Sequence, residues 1–184
     1  EAQHGLPEVL AACGIVEPPI LFGHSDGASI ALLFAAAFPD QTLAVISEAA
    51  HVFVEEVCLA GIRRARTDFE QGKLRTGLHR HHGDNTDLMF RGWSEAWLRS
   101  DRRDWEMQAA LRHLICPTLI VQGQDDQYGT RAQVDAIAGG VSGPAEVLWL
   151  PDCGHSPHHQ ARATTLDAAG RFIGEVCAQL SVVP

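Results

Sequence analysis

The run Gly23-His24-Ser25-Asp26-Gly27 is where residue types and spacing first suggest chemistry. It fits G-x-S-x-G and lies between a short apolar stretch, Ile20-Leu21-Phe22, and a helical stretch from about Ser25 to Phe38. Small residues on both sides of the serine are expected to let strand and helix approach across a tight turn. The turn would then lift the hydroxyl above the strand's carboxyl end. A serine hydroxyl needs a base, and the base needs an orienting carboxylate. Pro117 to Val121 runs into Gly123-Gln124-Asp125-Asp126, and Ala145 to Leu150 runs into Pro151-Asp152-Cys153-Gly154-His155. Both segments thus supply the missing groups after an apolar run. Ser25 is expected to attack a carbonyl and His155 to carry its proton, with Asp126 or Asp125 as the acid that orients His155. The Asp26 N–H, at a helix N-terminus, is placed to receive the oxyanion.

These groups need elements that hold them at one edge. Residues 1–13 carry Leu6, Val9, Leu10 and Cys13 at helical spacing, and Gly14 follows as a stop. Strands are predicted over 20–22, 42–47, 117–121 and 145–150, and helices over 25–38, 130–138 and 158–180. The 25–38 helix is apolar nearly all round, so it must be buried. Alternating helices and strands imply a mostly parallel sheet flanked by helices on both faces, an α/β fold. Residues 52–112 differ, being rich in Arg, His, Trp and Asp. They carry helical stretches near 53–70, 86–99 and 103–112 and no strand, and read as a helical insertion. The expected organisation is a core of 1–51 with 113–184 and an insertion of 52–112.

Composition narrows the class. The net charge of −9 argues against nucleic acid and anionic membrane surfaces as partners. No apolar run approaches the roughly 18 residues of a spanning helix. The five cysteines form no C-x-x-C pair, which fits reduced thiols in the cytoplasm.

GHSDG, GQDD and CGHSPH together resemble the nucleophile, acid and histidine segments of the α/β-hydrolase superfamily. The resemblance covers the chain and about two thirds of the family fold, and the family's usual spacing, three residues after the glycine, implies Asp126 as the acid with Asp125 second. It implies the C-terminal two thirds of an α/β-hydrolase fold, with residues 52–112 as its helical cap. The acid after the nucleophile resembles the small esterase and amino-acid-ester hydrolase branch. Family members carry several strands, and a loop giving a second oxyanion N–H, before the nucleophile strand. Ser25 comes so early that the sequence is expected to be N-terminally incomplete, with an exposed sheet edge and impaired catalysis alone. The exposed edge also makes a homo-oligomer an expectation. The implied activity is hydrolysis of a small ester, thioester, lactone or amide through an acyl-enzyme, without cofactor. Carbon–carbon bond hydrolases and cofactor-free haloperoxidases or perhydrolases share these residues and remain alternatives, as do acyltransfer and a non-catalytic binding protein.

Further residues invite roles. His24 is expected to pack at the elbow or touch substrate, and Asp26 to cap its helix or pair with a substrate amine. His51, close after Glu48, is a pocket candidate. Trp93, Trp97 and Trp105 are expected to anchor the insertion, with Trp93 and Trp97 also acyl-pocket candidates. His158 and His159 read as surface or capping residues, and Cys153 as a small buried residue. His79, His81, His82 and Asp84 lack zinc-hydrolase spacing and are expected in a solvated loop, so no metal site is expected.

Overall fold

A computed structural model describes residues 1–180. Its four strands are β1 (Ile20–His24), β2 (Ala44–Glu48), β3 (Thr118–Gly123) and β4 (Ala145–Leu150). They form one sheet in the order β1-β2-β3-β4, and every pairing is parallel. β2 and β3 are buried throughout, as interior strands of a parallel sheet must be. β1 pairs on one side only among the described residues, and Phe22 on it is half exposed.

Side chains alternate across the sheet. Ala44, Ile46, Leu119 and Val121 share a buried cluster with Ala169, Phe172 and Val176 of the helix that follows β4. That helix, α9 (Arg162–Leu180), comes after a separate turn, α8 (Pro157–Gln160). One continuous helix over 158–180 was the expectation. Non-helical backbone at Ala161 (φ −127°, ψ 43°) divides it instead. α1 (Gly5–Ala12) precedes β1. α2 (Asp26–Ala37) packs on β1 and β2, and α7 (Arg131–Gly140) on β3 and β4. The Thr130 hydroxyl caps α7, accepting from the Ala132 N–H at 3.1 Å.

The chain divides into two compact units, Phe53–Trp105 and the remainder. The insertion expected to reach 112 therefore ends earlier. Residues 106–112 join the sheet unit, where the Met107 N–H donates to Val52 O (2.8 Å) and Leu111 is fully buried. Of the helix expected over 103–112 only α6 (Gln108–Leu111) forms. The smaller unit holds α3 (Glu56–Glu70), α4 (Lys73–His82) and α5 (Thr86–Leu98). Its core is Ala65, Phe69 and Phe90, with Leu74, Leu78, Met89 and Trp93 packed around it. Phe69 and Phe90 stack at 3.9 Å with their ring planes nearly parallel. α4 corrects the expectation of a loop at His79–His82: Leu74 and Leu78, four apart and partly buried, give this otherwise polar helix its apolar stripe.

No helix among the described residues is long and apolar enough to cross a membrane.

Candidate active site

Every strand of the sheet delivers polar groups at its carboxyl end. β1 leads into Ser25, β2 ends on Glu48 and leads to His51, β3 leads into Asp126, and β4 into His155. Loops at this edge are where open α/β sheets hold ligands.

The turn after β1 is strained. Ser25 has φ 55° and ψ −121°, a conformation that costs a non-glycine residue about 1–3 kcal/mol. Neighbouring hydrogen bonds hold it there. The Ser25 N–H donates to Glu48 O at 2.8 Å, and Ser25 O accepts from the N–H groups of Ala28 and Ser29. Of the two motif glycines, only Gly23 is demanded by space. A Cβ there would stand 2.3 Å from the Gly27 carbonyl oxygen, whereas a Cβ at Gly27 would meet nothing within 4 Å. The expectation of a steric need on both sides of Ser25 is thus corrected at Gly27. Gly123 does for the acid and histidine segments what Gly23 does for the serine. A Cβ on it would lie 2.2 Å from Gly154 O, so only glycine lets the β3 and β4 loops close up.

The three expected side chains meet. His155 Nε2 lies 2.9 Å from Ser25 Oγ. His155 Nδ1 lies 2.8 Å and 3.0 Å from the two oxygens of Asp126. A carboxylate only accepts, so this places the ring proton on Nδ1 and leaves Nε2 as the acceptor facing the serine. Asp126 also accepts from Gln122 Nε2 (2.6 Å) and from the Tyr128 N–H (2.8 Å). Burial works against its charge, but the His155 contact and these two donors outweigh it and hold its pKa below the usual carboxylate value. Asp125 is exposed, and only its N–H is tied in, to Cys153 O at 2.8 Å. Of the two acids, Asp126 is the one within hydrogen-bond distance of His155.

The remaining candidates divide. His24 does not replace His155 but supports it: its Nε2–H donates to His155 O at 2.7 Å. His51 is buried, its Nε2–H donates to Tyr128 O at 3.1 Å, and its ring stands 6.0 Å from that of His155. Burial lowers the pKa of both His24 and His51. Asp26 occupies the first turn of α2, and its charge reaches His51. Trp93 packs on Phe90, and Trp97 meets Trp105 edge-on at 5.9 Å, all within the helical unit. Cys153 is fully buried, and burial with the nearby Glu48 and Asp126 charges pushes its thiol pKa up, the reverse of an activated nucleophile.

Two contributors escaped the sequence reading. Gln122 lies one residue past the strand expected over 117–121, and the observed β3 extends to include it. Tyr128 acts through its backbone N–H and a ring 4.6 Å from His155, and nothing in its residue type announces that. His158 corrects its surface reading, since its N–H and Nδ1–H both donate to buried Glu48 Oε1 at 2.8 Å.

The alpha/beta hydrolase family profile matches residues 2–168. The chain belongs to the alpha/beta hydrolase family. Solved structures agree on the fold. A serine hydrolase involved in carbazole degradation (the CarC enzyme) is 16% identical, with a TM-score of 0.72 over 92% of this chain and 68% of that one. An esterase from Thermogutta terrifontis is 19% identical, at 0.65 over 93% and 70%. A proline iminopeptidase from Mycobacterium smegmatis is 14% identical, at 0.66 over 97% and 73%. No curated protein matches by sequence. As a family member, the chain spans about two thirds to three quarters of these three structures.

Proposed function

We propose that this family member is a serine hydrolase of small acyl compounds, an ester, thioester, lactone or amide. The observation that carries the reading is the unbroken relay from Ser25 Oγ through His155 to Asp126, at 2.9 Å and 2.8 Å. Ser25 Oγ attacks the carbonyl carbon as its proton passes to His155 Nε2. The oxyanion receives the Asp26 N–H and the N-terminus of α2. His155 then protonates the leaving group, and the C–O, C–S or C–N bond breaks to give an acyl-enzyme on Ser25. Water, deprotonated by the same imidazole, releases the acid. Asp126 stabilises the imidazolium at each stage. The chemistry asks for no cofactor. The helical unit stands in the chain where the family's cap is inserted, and we assign it that part.

A fluorophosphonate probe tests the reading. The protein should be modified at Ser25, and Ser25→Ala should fold yet take no label. An unlabelled wild-type chain would favour a binding protein instead. Nitrophenyl esters, lactones and ring-fission products, assayed side by side, separate ester cleavage from carbon–carbon cleavage. Transfer to an added alcohol in preference to water would mark an acyltransferase.

A further inference from the structure

We propose that His24, Glu48 and His158 form a binding site for a divalent transition ion of the zinc class, and that filling it inhibits the serine relay. The binding half stands on its own geometry, while the inhibition rests on the function proposed above.

The sheet builds two thirds of the site. His24 and Glu48 are register partners on neighbouring parallel strands, so their side chains leave the same face. The third residue comes from the turn that opens α8. Glu48 Oε1 draws it in by accepting from both the N–H and the Nδ1–H of His158, each at 2.8 Å. The His24 and His158 rings meet edge to face at 4.8 Å. One ligating atom from each of the three residues lies within 4.8 Å of the other two. Tetrahedral zinc, with bonds of about 2.0–2.2 Å, holds its ligands roughly 3.5 Å apart. Side-chain rotation of about 1 Å is enough to reach that.

The second observation is a missing partner. The Glu48 side chain is wholly buried, and its Oε2 has no hydrogen-bond partner among the described residues. A buried carboxylate oxygen left unmatched is costly. Two imidazoles and a carboxylate are a borderline donor set, suited to zinc-class ions over magnesium or calcium, which take oxygen donors. The His158 side chain is 32% exposed, so an ion has a way in from solvent, and water a place as the fourth ligand.

Occupancy should reach the relay through the backbone. His24 directly precedes Ser25 and also holds the His155 carbonyl at 2.7 Å. An ion that draws the His24 and His158 rings together pulls on residues flanking both the nucleophile and the base. The expected signature is a fall in kcat with little change in KM.

The test uses the full chain after chelator treatment, titrated with zinc chloride by calorimetry and followed with cobalt(II) absorption. One ion per chain should bind at micromolar concentration, with no heat from magnesium. His158→Ala should weaken binding at least tenfold, and Glu48→Gln likewise. If either variant fails to fold by circular dichroism, His158→Gln takes its place. Saturating zinc should lower nitrophenyl ester turnover at least fivefold in wild type and less than twofold in His158→Ala, each relative to its own metal-free rate. Absence of binding, or equal binding to wild type and His158→Ala, overturns the site. The second result would mean ligation elsewhere, by His155 with Asp126 or by His79 and His82. Full binding with unimpaired turnover overturns the inhibition. A chain that binds zinc but hydrolyses nothing refutes the proposed function and leaves the site standing.

Discussion

The sheet unit and the helical unit are stabilised in opposite ways. The sheet unit buries charged and polar groups and ties many of them together: Asp126 has three donors, Gln122 gives its amide to Asp126, and Gln133 accepts from the Val52 N–H. The helical unit keeps its charges outside. Its ion pairs Arg63–Glu56, Arg75–Asp87 and Arg99–Asp101 are all about half exposed or more, which makes each worth little. Its cohesion rests on the Phe69–Phe90 stack. Buried polar networks fix positions, because every broken bond strands a partner away from water. Exposed pairs allow rearrangement at small cost. The contrast assigns precise geometry to one unit and tolerance to the other.

The largest expected effect tests the buried network. Asp126→Asn should lower turnover by on the order of 10⁴-fold, since an amide favours the wrong ring tautomer. A variant within tenfold of wild type, with Asp125→Asn inactive instead, would reverse the assignment of the acid. Next comes the apolar core of the helical unit. Phe90→Ala should cost that unit about 3–5 kcal/mol, read as faster amide exchange over 56–98. Unchanged exchange would show that the aromatic stack is not what holds it.

Acid should also separate the units. The pKa of His51 is lowered in the fold by burial, so the unfolded chain protonates first as pH falls below about 6.5. The sheet unit therefore loses stability from that point down to the depressed native value. Asp126 acts in the same direction lower down. Its stabilisation is present above the ordinary carboxylate pKa of about 3.9 and is lost as pH falls through its depressed native value. Protection of the amides across β2 and β3, corrected for the intrinsic pH dependence of exchange, should fall between pH 7 and 5, with a shallower slope in His51→Gln. In the helical unit the arginine partners of Glu56, Asp87 and Asp101 hold those carboxyls below the usual carboxylate range. An equal slope in wild type and variant would remove His51 as the cause. The smallest effect belongs to the surface: Arg75→Ala should shift stability by no more than about 0.5–1 kcal/mol, and less in high salt.

The sheet and its flanking helices were legible because each strand is a short apolar run ended by glycine or by an acid-rich turn. Ser25 and His155 were legible for a related reason, since glycines beside reactive residues at strand ends mark backbone that must approach closely. Asp126 over Asp125 rested on the family's usual spacing, and it is the Asp126 side chain that is buried against His155. α4 was missed because its apolar stripe is only Leu74 and Leu78 among charged and imidazole side chains. Residues 103–112 were read as one helix because local helical preference there outlasts the helix itself, which tertiary packing confines to α6.

Composition and periodicity, which are local, therefore determined the fold class and the order of elements, and motif spacing singled out the residues that meet at the sheet edge. Tertiary structure alone decided which distant polar groups share a face. His158 and Glu48 are 110 positions apart, and no spacing rule links them. They meet because parallel register puts His24 beside Glu48, and because the close approach at Gly123 lets the loop after β4 fold down toward that edge of the sheet.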